Sequence, residues 1–359
     1  MIFLLLIPAL AFQIFLWWLV FQAFPTSDTG TGIDAVSVVI CFRDEKSALP
    51  ELMGCINQQT GLEKKQVEFI FVDDHSTDGS SELIASERFN VRVLLNKGQG
   101  KKSALETGIA EAKHPHTLML DADVSFGPHH LQDLLQTIDP RASMAVLPIV
   151  YALKKGPVEG FQFLDFGLMQ WTNFAFAMRN NALFNNGAHL LVKTQHWQEQ
   201  RSGLKKELAS GDDVFMLHRF KELQLPVQTI TDPDLAIVIQ PEDSFLDLLN
   251  QRARWGVKAK NYTDWSSAAV AHLVFWSHLA LTLAFIIPVF QNYQLALWET
   301  MLYFSYVLGL AILIPKIERL QGQKGLSRFW MFLFPAFYSL FILLSVFKMR
   351  KVNWKGRRI

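Results

Sequence analysis

The sequence predicts an α/β domain with a mainly parallel sheet, carried between N-terminal and C-terminal membrane helices. Three observations lead there: β-branched runs without helical period at four places between residues 35 and 121, helical spacing in the segments between them, and long charge-free stretches near both ends. Strands buried on both faces read as continuous apolar runs, and their alternation with helices builds a parallel sheet. Of the 359 residues 50% are hydrophobic and only 19% charged, which is too apolar for an ordinary soluble enzyme.

Residues 1–24 contain no Asp, Glu, Lys or Arg, and a bilayer-spanning helix needs roughly 20 such residues. A signal peptide would show a basic start and a small-residue cleavage site. Neither is present, so residues 1–27 read as an uncleaved anchor. "AVSVVICF" (35–42) is the first strand, ending in Arg43, Asp44 and Glu45. "ALPELMGCINQQ" (48–59) places Leu49, Leu52, Cys55 and Ile56 at helical spacing. "VEFIFVDDHSTDGS" (67–80) is a second strand running into acids and hydroxyls, with Asp78 placed to cap and "SSELIASE" continuing as a helix. "VRVLLN" (91–96) is the third strand, followed by the glycine-rich loop and helix "KGQGKKSALETGIAEAK", and "HTLMLDAD" is the fourth strand. The α/β domain is expected to span 28–244.

An amphipathic interfacial helix is expected over 245–265, with Leu248, Leu249 and Trp255 dipping into the membrane and Arg252, Lys258 and Lys260 on lipid phosphates. Three membrane segments follow within 266–347: a stretch between Asp264 and Glu299 without Asp, Glu, Lys or Arg, then "LYFSYVLGLAILIP" (302–315) and "FWMFLFPAFYSLFILLSVF" (329–347). The basic loop 316–328 and the basic tail 348–359 are expected on the cytoplasmic side. A full crossing by 329–347 would leave the six Lys and Arg residues of 348–358 outside. Pro335 is therefore expected to break that segment and keep it from crossing fully.

The chemistry concentrates at strand ends. In "TLMLDADVSF" (117–126) an apolar strand runs into Asp121 and Asp123, whose carboxylates point to one side and repel unless a cation or donors lie between them. Asp44 with Glu45, and Asp73 with Asp74, also fall at carboxyl ends, and Lys101 opens the helix after the third strand. Ligands of open α/β sheets sit beyond those ends. Carboxylate oxygens suit a divalent Mg²⁺ or Mn²⁺, with a diphosphate supplying further ligands. The loop "GQGKKS" has Ser103 where a dinucleotide fingerprint needs glycine and Lys102 where a phosphate loop needs Ser or Thr. Hydride-transfer and ATPase functions lose their support. Net charge is +1, which gives no reason to expect nucleic acid. The two cysteines, Cys41 and Cys55, form no disulfide framework.

Two later pieces, "ASGDDVFMLHRF" (209–220) and "QRARW" (251–255), complete a motif order in which the chain resembles the family 2 glycosyltransferases of GT-A fold over about residues 35–260. The resemblance is to the membrane-anchored branch with cellulose, chitin and hyaluronan synthases and ceramide glucosyltransferase. It implies that Asp44, Glu45, Asp73, Asp74, Lys101 and Asp121 hold the nucleotide sugar, Asp73 and Asp74 at the uracil base. It implies a divalent metal, Mn²⁺ or Mg²⁺, at Asp123 with Asp121. Asn186 and Gly187 of "NNGAH" (185–189) match the acceptor-side loop, where glycine permits close approach to the backbone. Asp213 matches the catalytic base, with Asp212 beside it. Gln251, Arg254 and Trp255 share one helical face, and their guanidinium and indole would wall the site on the diphosphate and acceptor side. The chain departs from the family pattern at Phe42-Arg43-Asp44-Glu45 (usually Tyr-Asn-Glu), at Glu106 (usually Asn) and at Asp212-Asp213 (usually Glu-Asp).

The implied activity is inverting transfer of a sugar from a nucleotide donor, expected to be UDP-linked, to a lipid or membrane-associated glycan acceptor. The implied location is the lipid bilayer, the inner or plasma membrane in a bacterium, with the catalytic domain cytoplasmic. A processive polysaccharide synthase is the alternative, and about four membrane segments provide little helix for a translocation channel. A sugar nucleotidylyltransferase would lack Asp213 and the Gln251 motif. A non-enzymatic membrane scaffold would leave the strand-end acids without purpose.

Overall fold

A computed structural model describes residues 2–24, 30–154, 156–201, 211–286, 293–324, 327–349, 353–354 and 357–358. Residues 25–27 of the expected anchor, Ala209 and Ser210 of the paired-acid segment, and much of the basic tail lie outside the described residues. The chain forms two compact units, one of residues 25–152 and 176–240, the other of residues 1–24, 153–175 and 241–359.

The first unit is the α/β domain. β1 (Val36–Phe42), β2 (Val67–Asp73), β3 (Asn90–Leu95) and β4 (His116–Asp121) form the parallel part of a seven-stranded sheet, ordered β3-β2-β1-β4. Their β-branched and aromatic residues are buried on both faces in β1, β2 and β4, as parallel strands covered by helices must be. The sheet continues as β8-β6-β9, with β8 (His189–Lys193) antiparallel to both β4 and β6 (Met144–Val146), and β9 (Val227–Thr229) parallel to β6. A second sheet joins β5 (Val124–Ser125), β10 (Ile237–Ile239) and β7 (Ile149–Tyr151). Because β1 pairs with β2 on one side and β4 on the other, the chain switches direction across the sheet at β1, which is where α/β folds open a crevice.

The helices follow the expected spacing. α2 (Leu49–Asn57) buries Leu49, Leu52, Met53 and Ile56. α3 (Lys101–Ala110) lies on β1 and β2, α4 (His130–Thr137) buries Leu131, Leu134 and Leu135, and α6 (Thr194–Gln200) follows β8. α7 (Asp212–Glu222) is buried along most of its length. One expected helix is absent: "SSELIASE" forms a single 3₁₀ turn, Ser80–Leu83. Its serines spend their hydroxyls on loop carboxylates, Ser81 on Asp73 and Ser80 on Asp78, and such local bonds compete with helix. The cap of that turn is Gly79, without a side-chain cap bond, and Asp78 from the position before it accepts the Ser80 amide at 3.0 Å.

The second unit holds α1 (Ile2–Val20), α5 (Pro157–Ala177, of which 157–175 belong here), α8 (Phe245–Ala259), α9 (Trp265–Ile286), α10 (Tyr293–Leu320) and α11 (Ser327–Lys348). Segments of α9, α10 and α11, Trp265–Leu283, Thr300–Leu320 and Trp330–Lys348, are long and apolar enough to cross a membrane. α1 packs on α9 and α10. Polar bonds pin it there: Gln13 Nε2 donates to the Leu302 carbonyl at 3.0 Å, Trp17 Nε1 to Ser305 Oγ at 3.0 Å, and Ser277 Oγ to the Pro8 carbonyl at 2.8 Å. Lys316 donates to the carbonyls of Val20 and Gln22 at 2.6 and 3.1 Å, placing a cation at a helix C-terminus where the backbone dipole favours it.

The expected break at Pro335 does not occur. α11 runs unbroken through Pro335, as membrane helices can where the freed carbonyl is satisfied by neighbouring groups. Two side chains of α8 are placed otherwise than expected. Leu248 is fully buried and Arg252 is buried in an ion pair with Asp165, so neither faces lipid.

α3 approaches the sheet through Gly108, where an added Cβ would lie 2.6 Å from Val39 Cγ1 and 2.9 Å from Val72 Cγ2. Alanine is the better helix former by about 1 kcal/mol, but here the methyl must displace two core valines. Gly108→Ala is expected to lower unfolding stability by about 1–3 kcal/mol, the usual cost of overpacking. Equal or raised stability in urea unfolding would show that α3 has room to shift.

Candidate active site

Strand register gathers the strand-end acids. Phe42 pairs with Asp73, Cys41 with Asp121, and Leu120 with His189. The carboxyl ends of β1, β2 and β4 and the amino end of β8 therefore meet along one edge. Antiparallel β8 brings the "NNGAH" loop to that edge from the opposite chain direction, and the Asp121 amide donates to the Ala188 carbonyl at 3.4 Å.

Some of the acids build the rim. Asp74 is buried and its Oδ1 accepts Asn96 Nδ2 and the Gly100 amide, both at 2.7 Å. Asn96 Oδ1 in turn accepts the Gly98 amide at 3.1 Å and Ser103 Oγ at 2.9 Å, so Asp74 and Asn96 together shape the glycine-rich loop. Asp73 accepts the Ser76 amide at 2.7 Å and Ser81 Oγ at 2.5 Å. Burial would raise its pKa, but the Ser81 and Ser76 donors hold it below the ordinary carboxylate value. Asp44 adopts a φ of 54° and its Oδ1 accepts the Thr77 amide at 2.8 Å, a backbone region that Asp tolerates. The Glu45 amide donates to Ser80 Oγ at 2.9 Å.

Other residues converge on one point. Lys101 Nζ donates to Asp121 Oδ1 at 2.5 Å. Burial would lower the lysine pKa, but the charges of Asp121, Asp212 and Asp213 outweigh it and raise the pKa above its ordinary value. Lys101 is a fixed cation. A Cβ placed on Gly187 would lie 3.5 Å from Lys101 Nζ, 3.5 Å from Asp212 Oδ2 and 3.6 Å from Asp213 Cβ. The glycine thus leaves open a space that the lysine and both acids border. Asp212 and Asp213 start α7 after Gly211, whose φ of 99° suits glycine, and the helix N-terminus favours their charge. Asp213 accepts the Gly187 amide on Oδ2 at 3.1 Å and the Val214 amide on Oδ1 at 2.8 Å, tying the "NNGAH" loop to α7. Asn186 Oδ1 accepts the Ala188 amide at 3.0 Å, so its side chain turns the loop.

Asp123 is the exception among the acids. Its side chain reaches solvent, yet surrounding protein first, then the charges of Asp121 and Glu45, push its pKa up to about 6. Carboxylates crowded in this way gain from a cation between them. Among the described residues no three His, Cys, Asp or Glu side chains cluster closely enough to hold a metal by themselves. The donor set fits a divalent ion that takes part of its shell from elsewhere.

Gln251, Arg254 and Trp255 belong to the membrane unit. The guanidinium of Arg252 lies over the Trp255 ring, 4.1 Å from its centroid. Arg254 is half-buried, and burial lowers its pKa against the opposing charge of Glu242. Sequence reasoning missed Asn96, although an asparagine closing a strand before Lys-Gly is a turn signal. It also missed Arg252 as a buried group, because a charged residue inside an amphipathic pattern reads as solvated.

The family model described as "Glycosyl transferase family 2" matches residues 37–192, and that described as "Glycosyl transferase family group 2" matches residues 116–346. An undecaprenyl-phosphate 4-deoxy-4-formamido-L-arabinose transferase of Aeromonas hydrophila subsp. hydrophila is 36% identical over 111 residues, which cover 30% of this chain and 34% of that one. A dolichol-phosphate mannosyltransferase of Mycosarcoma maydis is 30% identical over 116 residues, 30% of this chain and 40% of that one. The chain thus matches well under half the length of either relative. In fold it is similar to a mannosyltransferase of Pyrobaculum calidifontis solved in complex with GDP-Man and Mn²⁺, with a TM-score of 0.61, 14% identity and coverage of 97% of this chain and 96% of that one.

Beside the loop, His189 and His130 lie with ring centroids 5.1 Å apart and tilted by 41°, both buried. Burial holds the His189 pKa down to about 4 and that of His130 well below its ordinary value. The unfolded chain takes up protons near pH 6.5 and the folded chain does not, so stability is full above that pH and declines as pH falls toward 4. His189 alone accounts for about 3 kcal/mol of loss across that window. The unfolding midpoint is expected to drop between pH 7.5 and pH 5, and His130→Leu to flatten part of the slope. A midpoint that does not change over this range contradicts neutral burial of the pair.

Proposed function

Because the chain belongs to glycosyl transferase family group 2, we propose that it is an inverting glycosyltransferase that moves a sugar from a nucleoside-diphosphate donor to a lipid acceptor in the membrane. The observation that carries this reading is the convergence of Lys101, Asp212 and Asp213 on the space at Gly187, with Asp121 bonded to Lys101. A departing diphosphate gains negative charge, and a preorganised ammonium stabilises it best where reorganisation is least. Asp73, Asp74, Asp44 and Glu45 form the nucleotide side of the rim, and Asn186 and Gly187 the acceptor side. Gln251, Arg254 and Trp255 are assigned to the diphosphate and acceptor by their motif. A divalent ion, held by Asp123 with Asp121, would neutralise diphosphate charge when bound. The basic segment 316–328 supports a cytoplasmic catalytic unit.

A hydroxyl acceptor needs a base, and Asp213 is the carboxylate assigned to take its proton. A second reading has its own support. Both Asp213 oxygens accept backbone amides, which suits an anchor for the Gly187 loop. The relatives named for undecaprenyl phosphate and dolichol phosphate favour a phosphate acceptor, which is largely ionised at neutral pH and needs no base.

Incubating membranes with radiolabelled nucleotide sugars and extracting the lipids tests the function directly, and label confined to the aqueous phase for every donor rejects it. With that assay, Asp213→Asn is expected to lower turnover by about two to four orders of magnitude if the acceptor is a hydroxyl, the usual worth of a general base. A fall of less than about tenfold, one weakened hydrogen bond, selects the phosphate.

Asp123→Ala is expected to abolish the dependence of nucleotide binding on Mn²⁺, since one carboxylate holds a divalent ion against water less well than two. Calorimetric titration of UDP and GDP with Mn²⁺ or with EDTA measures this. An unchanged metal dependence removes Asp123 from the metal site.

A further inference from the structure

α8 and α5 are joined inside the membrane unit by a buried charge pair. Asp165 is 1% exposed and Arg252 8%. Arg252 Nε donates to Asp165 Oδ2 at 2.7 Å, and Nη2 stands 2.5 Å from the same oxygen at an angle outside hydrogen bonding, so that second contact is electrostatic. The remaining reach of the guanidinium goes to two residues of the Gln-x-x-Arg-Trp motif. Nη1 donates to Gln251 Oε1, and the guanidinium carbon lies 4.1 Å from the centroid of the Trp255 ring. Gln251 Nε2 donates to Glu242 Oε1 at 2.8 Å, and Gln162 of α5 clamps the Glu242 backbone with bonds of 2.7 and 2.9 Å.

These partners determine orientation. An arginine can only donate and an ionised carboxylate can only accept, so Gln251 has one permitted amide direction, oxygen toward Arg252 and nitrogen toward Glu242. The guanidinium plane does the same for the indole, which it covers. Stability gives a poor account of the arrangement. Removing two charges from water costs several kcal/mol, and well-packed apolar residues in place of a buried pair are often neutral or stabilising.

We propose that Asp165 and Arg252 are positioning residues: their buried pair fixes the amide direction of Gln251 and the ring plane of Trp255 for the transfer reaction. The proposal rests on the function given above and on the motif's part in it.

Three properties of the full-length chain in detergent decide it. They are the thermal midpoint, sugar transfer with separate KM and kcat for the donor that the wild type uses, and the fluorine resonance of Trp255 after 5-fluorotryptophan labelling, assigned by Trp255→Phe. The double variant Asp165→Leu, Arg252→Met replaces the pair by apolar groups. It is expected to keep its midpoint, to lose about 100-fold in kcat, the scale of a 1 Å misplacement, with donor KM unchanged, and to shift the Trp255 resonance. Arg252→Lys keeps the charge but cannot serve carboxylate, amide and ring together, and is expected to fall as far. A folded variant of either kind with kcat within about threefold of wild type overturns the proposal. If the double variant does not fold, Arg252→Lys decides by the same two readouts. If the wild type transfers no sugar from any donor, the functional reading fails, and an unmoved Trp255 resonance in Arg252→Lys then overturns the proposal as well.

Discussion

One ammonium group set among carboxylates is the constraint on which the α/β unit turns. Lys101 stands 2.5 Å from Asp121 and feels the charges of Asp212 and Asp213. Without it, three acids from β4 and α7 would repel one another in a partly desolvated space. With it their charges are offset, and the loop at Gly187 closes against α7 through the bond to Asp213. The position of Lys101 depends in turn on the glycine-rich loop before α3, which Asp74 and Asn96 hold by main-chain and side-chain bonds. Asp74, just past the end of β2, therefore supports the cation that the acid at the end of β4 pairs with.

The fold was legible in the sequence where periodicity was unambiguous. The four parallel strands, α2 and α3 follow from β-branched runs and helical spacing, and the carboxyl ends of β1, β2 and β4 were already marked by acids. β6, β7 and β9 have three residues each and β5 two, too short for a pattern to emerge from its flanks. The 3₁₀ turn at Ser80–Leu83 was misread as a helix because the competing acceptors, Asp73 and Asp78, act through tertiary contacts as well as local ones. At the site, residue types and order were readable, but division of labour was not. Asp73, Asp74 and Asp121 look alike in sequence, and only register and hydrogen bonding separate those that shape loops from the one that pairs with Lys101.

The membrane unit shows the opposite pattern. Apolar length identified its helices, whereas its polar residues were misassigned, because a charge in an amphipathic stretch is normally solvated. Arg252 is buried because Asp165 lies opposite on α5, a partner 87 positions away that no local pattern reveals. Pro335 was similarly misjudged. Proline disfavours helix interiors through a missing donor and a ring clash, but in an apolar environment an unfolded alternative exposes more backbone than the proline itself releases. The helix therefore continues through it.

Polar groups in this protein are spent where geometry has to be unique. Trp17, Gln13 and Ser305 bond side chain to side chain and backbone between α1 and α10, Arg252 and Asp165 do so between α8 and α5, and Gln162 and Gln251 tie both helices to Glu242 in the segment before α8. Apolar helix faces slide and rotate at little cost because one methyl contact resembles the next. A hydrogen bond in a dry interior has a single good register, and losing it leaves a desolvated group costing about 1–3 kcal/mol. Such bonds contribute modestly to the depth of the native state and much more to its singularity. The α/β unit follows the same rule through Asn96, Asp74 and Asp213, whose hydrogen bonds fix loops that hydrophobic contact alone would leave free to choose among conformations.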